Sequence, residues 1–352
     1  METEEIIKKA EQIEKAINSY YEDRKVVILS DNDVRNITAE NLNPDKNYDH
    51  PYINVILNDS EEINACAYKY IDKYFVEINT GVFSGIKEYV HSIVTRKVFE
   101  NVKEIGCVIP SRIESLITED CYAYLYLHEF FHITNGHCDL VKKLQLEKLS
   151  EVSNKIGVEP KLVRQTLEYD ADCCAIESML NEQLRSIGML NKHFGDNSLR
   201  MSVDSLVQTM SHILISIFII NSQFYEVFKK ANKCSLEDTI NFVERLDHPL
   251  PGMRVMYMML NMNCIIEQSG IYSEDETIEI FERTFDSLIS FVEIYKDIVH
   301  PELLKVAITD KGIKHLQKVH DNWEKVVKEI PIAYGTLAPY TKCDYGAILK
   351  GE

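Results

Sequence analysis

Apolar residues recur at helical spacing over residues 4–22, with Ile6, Ile7, Ala10, Ile13, Ala16 and Ile17 in register, and predict an amphipathic helix. Lys25 to Leu29 reads as a short strand, and Ser30 to Pro51, rich in Asn, Asp and Pro, reads as loop. Two β-like runs, Ile63 to Tyr70 and Tyr74 to Ile78, flank a turn at Ile71-Asp72-Lys73 and predict a hairpin. Beyond Gly81 the pattern is helical almost to the end. Thr118 followed by Glu119 and Asp120 makes a helix start, and this helix should run to about Asn135 and stop at Gly136. Pro160 suits the first turn of another helix, which carries Val163, Leu167, Ala171 and Ala175. Helices follow at roughly 202–231, 251–267, 274–298 and 312–329, and the tail from Pro331 is irregular. The expected fold is α+β and mainly helical, with a small β-sheet near the front. Residues 1–50 form an N-terminal helix and loop, 51–270 a single domain, and 271–352 a helical C-terminal region that is regulatory or packed on the core.

Composition narrows the functions open to such a fold. The 352 residues carry 56 acidic and 38 basic side chains, a formal charge of -18. That excess repels phosphate backbones and anionic lipid heads and argues against nucleic acid as a partner. The nine cysteines are scattered, with no CxxC pair, and the chain opens Met-Glu-Thr-Glu-Glu rather than with a basic region and an apolar run. No disulfide framework and no secretory signal are expected, which points to the cytoplasm. Leu206 to Ile220 is strongly apolar, yet it is shorter than the ~20 residues of a membrane span and contains Gln208, Thr209, Ser211, His212 and Ser216. It is expected to be a buried core helix, so no integral membrane segment is expected.

The run His128-Glu129-Phe130-Phe131-His132 is an HExxH motif. Residues four apart lie on one helical face, so both imidazoles can bind one zinc ion, with Glu129 beside the metal as the base. The surrounding Tyr122, Tyr124, Leu125, Tyr126, Leu127, Phe130 and Phe131 make the helix apolar on nearly all sides. Two histidines and a glutamate inside a core need a purpose. Catalytic zinc usually takes a third protein ligand, and His137, Glu168 and Asp172 are the candidates. His137 lies five residues after His132, beyond the helix-ending Gly136, without metzincin spacing. Glu168 and Asp172, in Glu168-Tyr169-Asp170-Ala171-Asp172, share a helical face. Glu168 can ligate the metal while Asp172 accepts a hydrogen bond from the second nitrogen of a ligand histidine, His128 being the favoured one. Asp170 is expected to face away. His248-Pro249 precedes a helix opened by Pro251, so His248 can donate to a developing oxyanion, and Arg254 can anchor the loop to a carboxylate. The Met-rich helix around Met256 and the adjacent Cys173 and Cys174 read as core, and His315 and His320 as solvated surface.

Taken in order, these elements resemble the gluzincin zinc metallopeptidases of the Ste24/HtpX type and, in overall character, the soluble phage-exclusion (Lit-type) peptidases. The match runs from Asn64-Ala65-Cys66-Ala67 and the Asn79-Thr80-Gly81 turn, through HEFFH and EYDAD, to His248-Pro249 and Arg254, over roughly residues 60–260. The resemblance implies a zincin-like core with the sheet beside the HExxH helix, and Glu168 as third ligand. It also implies that the strand with Asn64, Ala65, Cys66 and Ala67 is the sheet edge where a substrate peptide adds, and that His248 assists the transition state. Phe131 stands where the family often has a small residue. The flanking membrane helices of the Ste24/HtpX type have no counterpart, which argues against membrane-embedded substrates. The implied activity is that of an intracellular zinc metalloendopeptidase acting on a protein or peptide substrate, as a regulated phage-defence protease held inactive until an activating partner engages it. The alternative is a catalytically silent metal-binding regulator or partner-binding module, against which the intact Glu129 argues.

Overall fold

The computed structural model describes residues 26–29, 53–70, 73–96, 102, 110–146, 160–193, 200–233, 235–237, 246, 248–296 and 299–330. The expected N-terminal helix at 4–22, the loop at 30–51 and the tail from Pro331 lie outside the described residues.

A four-stranded sheet forms from β1 (Val26–Leu29), β2 (Ile53–Asn58), β3 (Ala65–Tyr70) and β4 (Lys73–Asn79), in the order β1-β2-β4-β3. β3 and β4 are the expected hairpin, antiparallel with Ala67 opposite Val76. β4 is parallel to β2, and β2 to β1. Among the described residues β3 is therefore an edge strand, paired only through β4. Asn64 extends that ladder, its carbonyl accepting from the Asn79 N–H at 3.0 Å.

Helices make up most of the molecule. They are α1 (Thr80–Val94), α2 (Pro110–Thr134), α3 (His137–Leu146), α4 (Pro160–His193), α5 (Val203–Asn232), α6 (Pro251–Ser269), α7 (Glu274–Ile294), α8 (Pro301–Lys305) and α9 (Asp310–Val326), with short 3₁₀ turns at Val306–Ile308 and Val327–Glu329. α2 starts eight residues before the expected point. Pro110 is a better first-turn residue than Thr118 is a cap, because it has no N–H to leave unsatisfied. Ile113, Ile117 and Cys121 then continue one buried stripe straight past Thr118, itself only 4 % exposed. At the other end Gly136 adopts φ +77°, and the Asn135 and Gly136 N–H groups close onto the Phe131 and Ile133 carbonyls. The chain turns there directly into α3.

α2 is the central element, packed against β3, α1, α4 and α5. α5 is long and apolar enough to cross a membrane by length and composition. In this fold its run from Leu206 to Ser222 is almost wholly buried against α2, α6 and α7. Each large apolar side chain so buried is worth about 1.5–3 kcal/mol, which holds the helix inside. The methionines of α6, from Met253 to Met262, are buried as expected, as are Cys173 and Cys174.

α7 lies on α5 and α6, and α9 lies along α4. The reading of His315 and His320 as solvated surface is overturned here. His315 is buried with Nε2 2.6 Å from Gln165 Oε1, and His320 Nδ1 is 2.8 Å from the Tyr169 hydroxyl. Asn322 donates to Thr166 at 2.9 Å and Trp323 Nε1 donates to Asp170 at 2.6 Å. The polar positions of α9 that look solvated in one dimension pair with polar positions of α4, whose own outward face they cover.

Candidate metal centre

The centre is built where α2 crosses α4. His128 and His132 stand one turn apart on α2, and Glu168 rises from α4 between them. His128 Nε2 lies 3.1 Å from His132 Nε2 and 3.3 Å from Glu168 Oε2, and His132 Nε2 lies 3.4 Å from Glu168 Oε1. A tetrahedral ion with ligand bonds of about 2.0–2.1 Å has ligand atoms about 3.3–3.4 Å apart. Two imidazole nitrogens and a carboxylate at these separations therefore fit one metal ion, and this is the metal-sized His/Cys/Asp/Glu group among the described residues. His128 and Glu168 are buried and His132 is half-buried.

Asp172 secures the first ligand. Its Oδ1 lies 2.8 Å from His128 Nδ1, which holds a proton on that nitrogen and turns Nε2 toward the position a metal would take. Asp172 is fully buried and also takes a bidentate pair from Arg254, with Nε at 2.8 Å and Nη2 at 2.6 Å. Tyr124 donates to it at 2.5 Å, and Tyr257 donates to its other oxygen. Burial opposes the charge on Asp172, but Arg254 and His128 outweigh burial and hold its carboxyl below the usual carboxylate range. The loop anchor expected of Arg254 thus ends on Asp172, with Glu168 Oε2 a further 3.6 Å contact. Tyr124 and Tyr257 carry no sequence signal, since aromatic residues on apolar helices look like core until a buried carboxylate is placed beside them.

Burial likewise works against charge on His128, yet Asp172 overcomes it and pushes the imidazole up to about 9. Protons then compete with the metal. Apparent metal affinity is expected to fall about tenfold per pH unit as pH drops below that value. Chelator competition at about pH 6 and about pH 8 should differ by roughly two orders of magnitude, the higher pH binding more tightly.

His248 is largely exposed, yet its Nδ1 reaches Glu168 Oε2 at 3.2 Å. Glu168 raises the pKa of His248, while His248 and His132, working against burial, hold Glu168 well below the usual carboxylate range. An ionised carboxylate is the state a metal needs. Glu168→Ala is expected to cost more than the about 10–100-fold in metal affinity typical of outer partners, measured as bound metal per chain after dialysis.

Glu129 is 8 % exposed, and among the described residues no hydrogen bond or ion pair engages its carboxylate. Burial, and after it the charge of Glu129, pushes the Cys66 thiol up to about 11. The edge strand carrying Asn64, Ala65, Cys66 and Ala67 is therefore within electrostatic reach of Glu129. Lys69 and Tyr74 both reach Asp139 of α3, at 2.6 Å and 2.7 Å, and fix the hairpin against the helix that follows the motif.

One expectation fails at this site, and the less favoured candidate for third ligand is set aside. His137 is not a ligand candidate in space: its Nδ1 lies 3.0 Å from His132 Nδ1, on the side of that ring away from Glu168 and His128. Asp170 does not face away. It is 1 % exposed, 3.0 Å from His137 Nε2, and takes further hydrogen bonds from Asn135 and Trp323, both at 2.6 Å. Comparison with family models, curated proteins and solved structures finds no match to this chain.

Proposed function

We propose that the chain is a zinc-dependent metalloendopeptidase with a zincin-like core. The observation that carries the reading is the triangle of His128 Nε2, His132 Nε2 and Glu168 carboxylate, at 3.1–3.4 Å, with Glu129 adjacent on the same helix. Two imidazoles and one carboxylate are the donor set of catalytic zinc, which leaves a position open for chemistry. A zinc ion held by His128, His132 and Glu168 would supply Lewis acidity toward a carbonyl and a more acidic water.

The chain's own residues then divide the work. A peptide adds along the free edge of β3, at Asn64 to Ala67, in the manner of an extra strand. Glu129 takes the proton of the attacking water and hands it to the leaving amine, so one carboxylate serves as base and then as acid. His248, exposed beside Glu168, donates to the oxyanion. Asp172 and Arg254 hold His128 in place. The edge position of β3 and the proximity of Cys66 to Glu129 support this arrangement. The substrate is a protein, and a regulated defence role against phage fits the soluble Lit-type character of the motif order.

A proteome-wide search for new N-termini tests the reading in cells expressing the wild type or Glu129→Gln, with and without phage challenge. Termini produced by the wild type alone establish an endopeptidase and name its substrate. Identical termini in both, under both conditions, would sink it and favour a metal-binding regulator.

A further inference from the structure

The three acidic residues of the EYDAD run have three destinations. Glu168 meets the two motif histidines, Asp172 backs His128, and Asp170 backs a histidine that is not a ligand. The contacts from Asp170 form an unbroken line: Asp170 Oδ2 to His137 Nε2 at 3.0 Å, then His137 Nδ1 to His132 Nδ1 at 3.0 Å. On its far side Asp170 is held by Asn135 Nδ2 on Oδ2 and Trp323 Nε1 on Oδ1, each at 2.6 Å. These two groups can only donate, so Asp170 must accept from both and stays an acceptor.

That fixes the direction of every proton in the line. An acceptor at Asp170 takes the N–H of His137 on Nε2, and the burial of His137 disfavours a second proton on its ring. Its Nδ1 is then a lone pair, and the only productive partner for it is an N–H on His132 Nδ1. His132 is left with a lone pair on Nε2, the atom 3.1 Å from His128 Nε2 and 3.4 Å from Glu168 Oε1. The opposite direction would set two lone pairs or two donors against each other at a buried contact, a loss of about 1–3 kcal/mol.

We infer that His137 and Asp170, anchored by Asn135 and by Trp323 of α9, are positioning residues that preset the tautomer of His132, so that the C-terminal helix is part of the metal centre's outer shell. The inference rests on the metal-site reading above, but its first prediction concerns the metal-free protein. His128 is backed directly by a carboxylate; His132 is backed by one through a second imidazole. The line also explains the short corner at Asn135-Gly136, which delivers both Asn135 and His137 to Asp170.

The test uses the full chain labelled with ¹⁵N at histidine and stripped of metal. His132 should show the Nδ1–H tautomer in the wild type. In Asp170→Asn the amide can present a donor to His137, and His132 should lose that single tautomer. Zinc affinity by chelator competition should fall about 10–100-fold in Asp170→Asn, and by a smaller factor in Trp323→Phe, which keeps an aromatic ring but removes the N–H. An Nε2–H tautomer of His132 in the wild type overturns the inference without any variant having to fold. So does a folded Asp170→Asn with wild-type zinc affinity. A wild-type chain that binds no zinc but shows the Nδ1–H tautomer sinks the metal reading and leaves the tautomer relay standing.

Discussion

Glu129→Gln is expected to keep the full complement of metal while peptide hydrolysis drops by about 10²–10⁴-fold. The substitution preserves shape and removes only the capacity to accept a proton. Glu129 sits one residue from His128 yet has no hydrogen bond or ion pair among the described residues, so its replacement disturbs no structural contact described here. The two effects are separable by measuring bound zinc and turnover of a cleaved peptide on the same preparation. Loss of zinc together with activity would mean that Glu129 supports the ligands rather than the reaction. Undiminished turnover would remove it from the chemistry altogether.

Asp172→Ala should have the largest effect on stability, about 3–5 kcal/mol, because it strips a buried guanidinium of its carboxylate. Arg254 is 10 % exposed at its side chain and meets Asp172 through two nitrogens. Tyr124 and Tyr257 lose their common acceptor in the same step. Denaturant unfolding of the metal-free protein isolates this term from metal binding. Adding Arg254→Ala to Asp172→Ala should cost much less than the sum of the two single changes, since the second removes the charge that the first left stranded. Additive losses would show that the pair does not act as a unit. Zinc affinity measured separately should fall about 10–100-fold in Asp172→Ala, through the freed tautomer of His128.

The parts of the fold that obey a local rule were legible in the sequence. HExxH announces two histidines on one helical face, Pro160 opens α4 as expected, and Gly136 ends α2 with the positive φ that glycine favours. β2 was missed for a physical reason. Ile53, Val55 and Ile56 are buried in a strand flanked on both sides by parallel neighbours, and such strands read as unbroken apolar runs without alternation. Asp170 was misread because helical spacing ranks residues by one face alone. It stands well round the helix from Glu168 and Asp172, and spacing cannot know that α3 and α9 bring His137 and Trp323 to that side. The same holds for His315, whose polar partner Gln165 is 150 residues away in the chain.

Trp323 is the only tryptophan in the chain, and its indole N–H rests on Asp170. The protein thus carries an intrinsic fluorophore a few hydrogen bonds from the candidate metal centre. Emission excited selectively at the indole is placed to respond to changes at that one carboxylate, so metal loading of the full chain is expected to be readable in real time without a label.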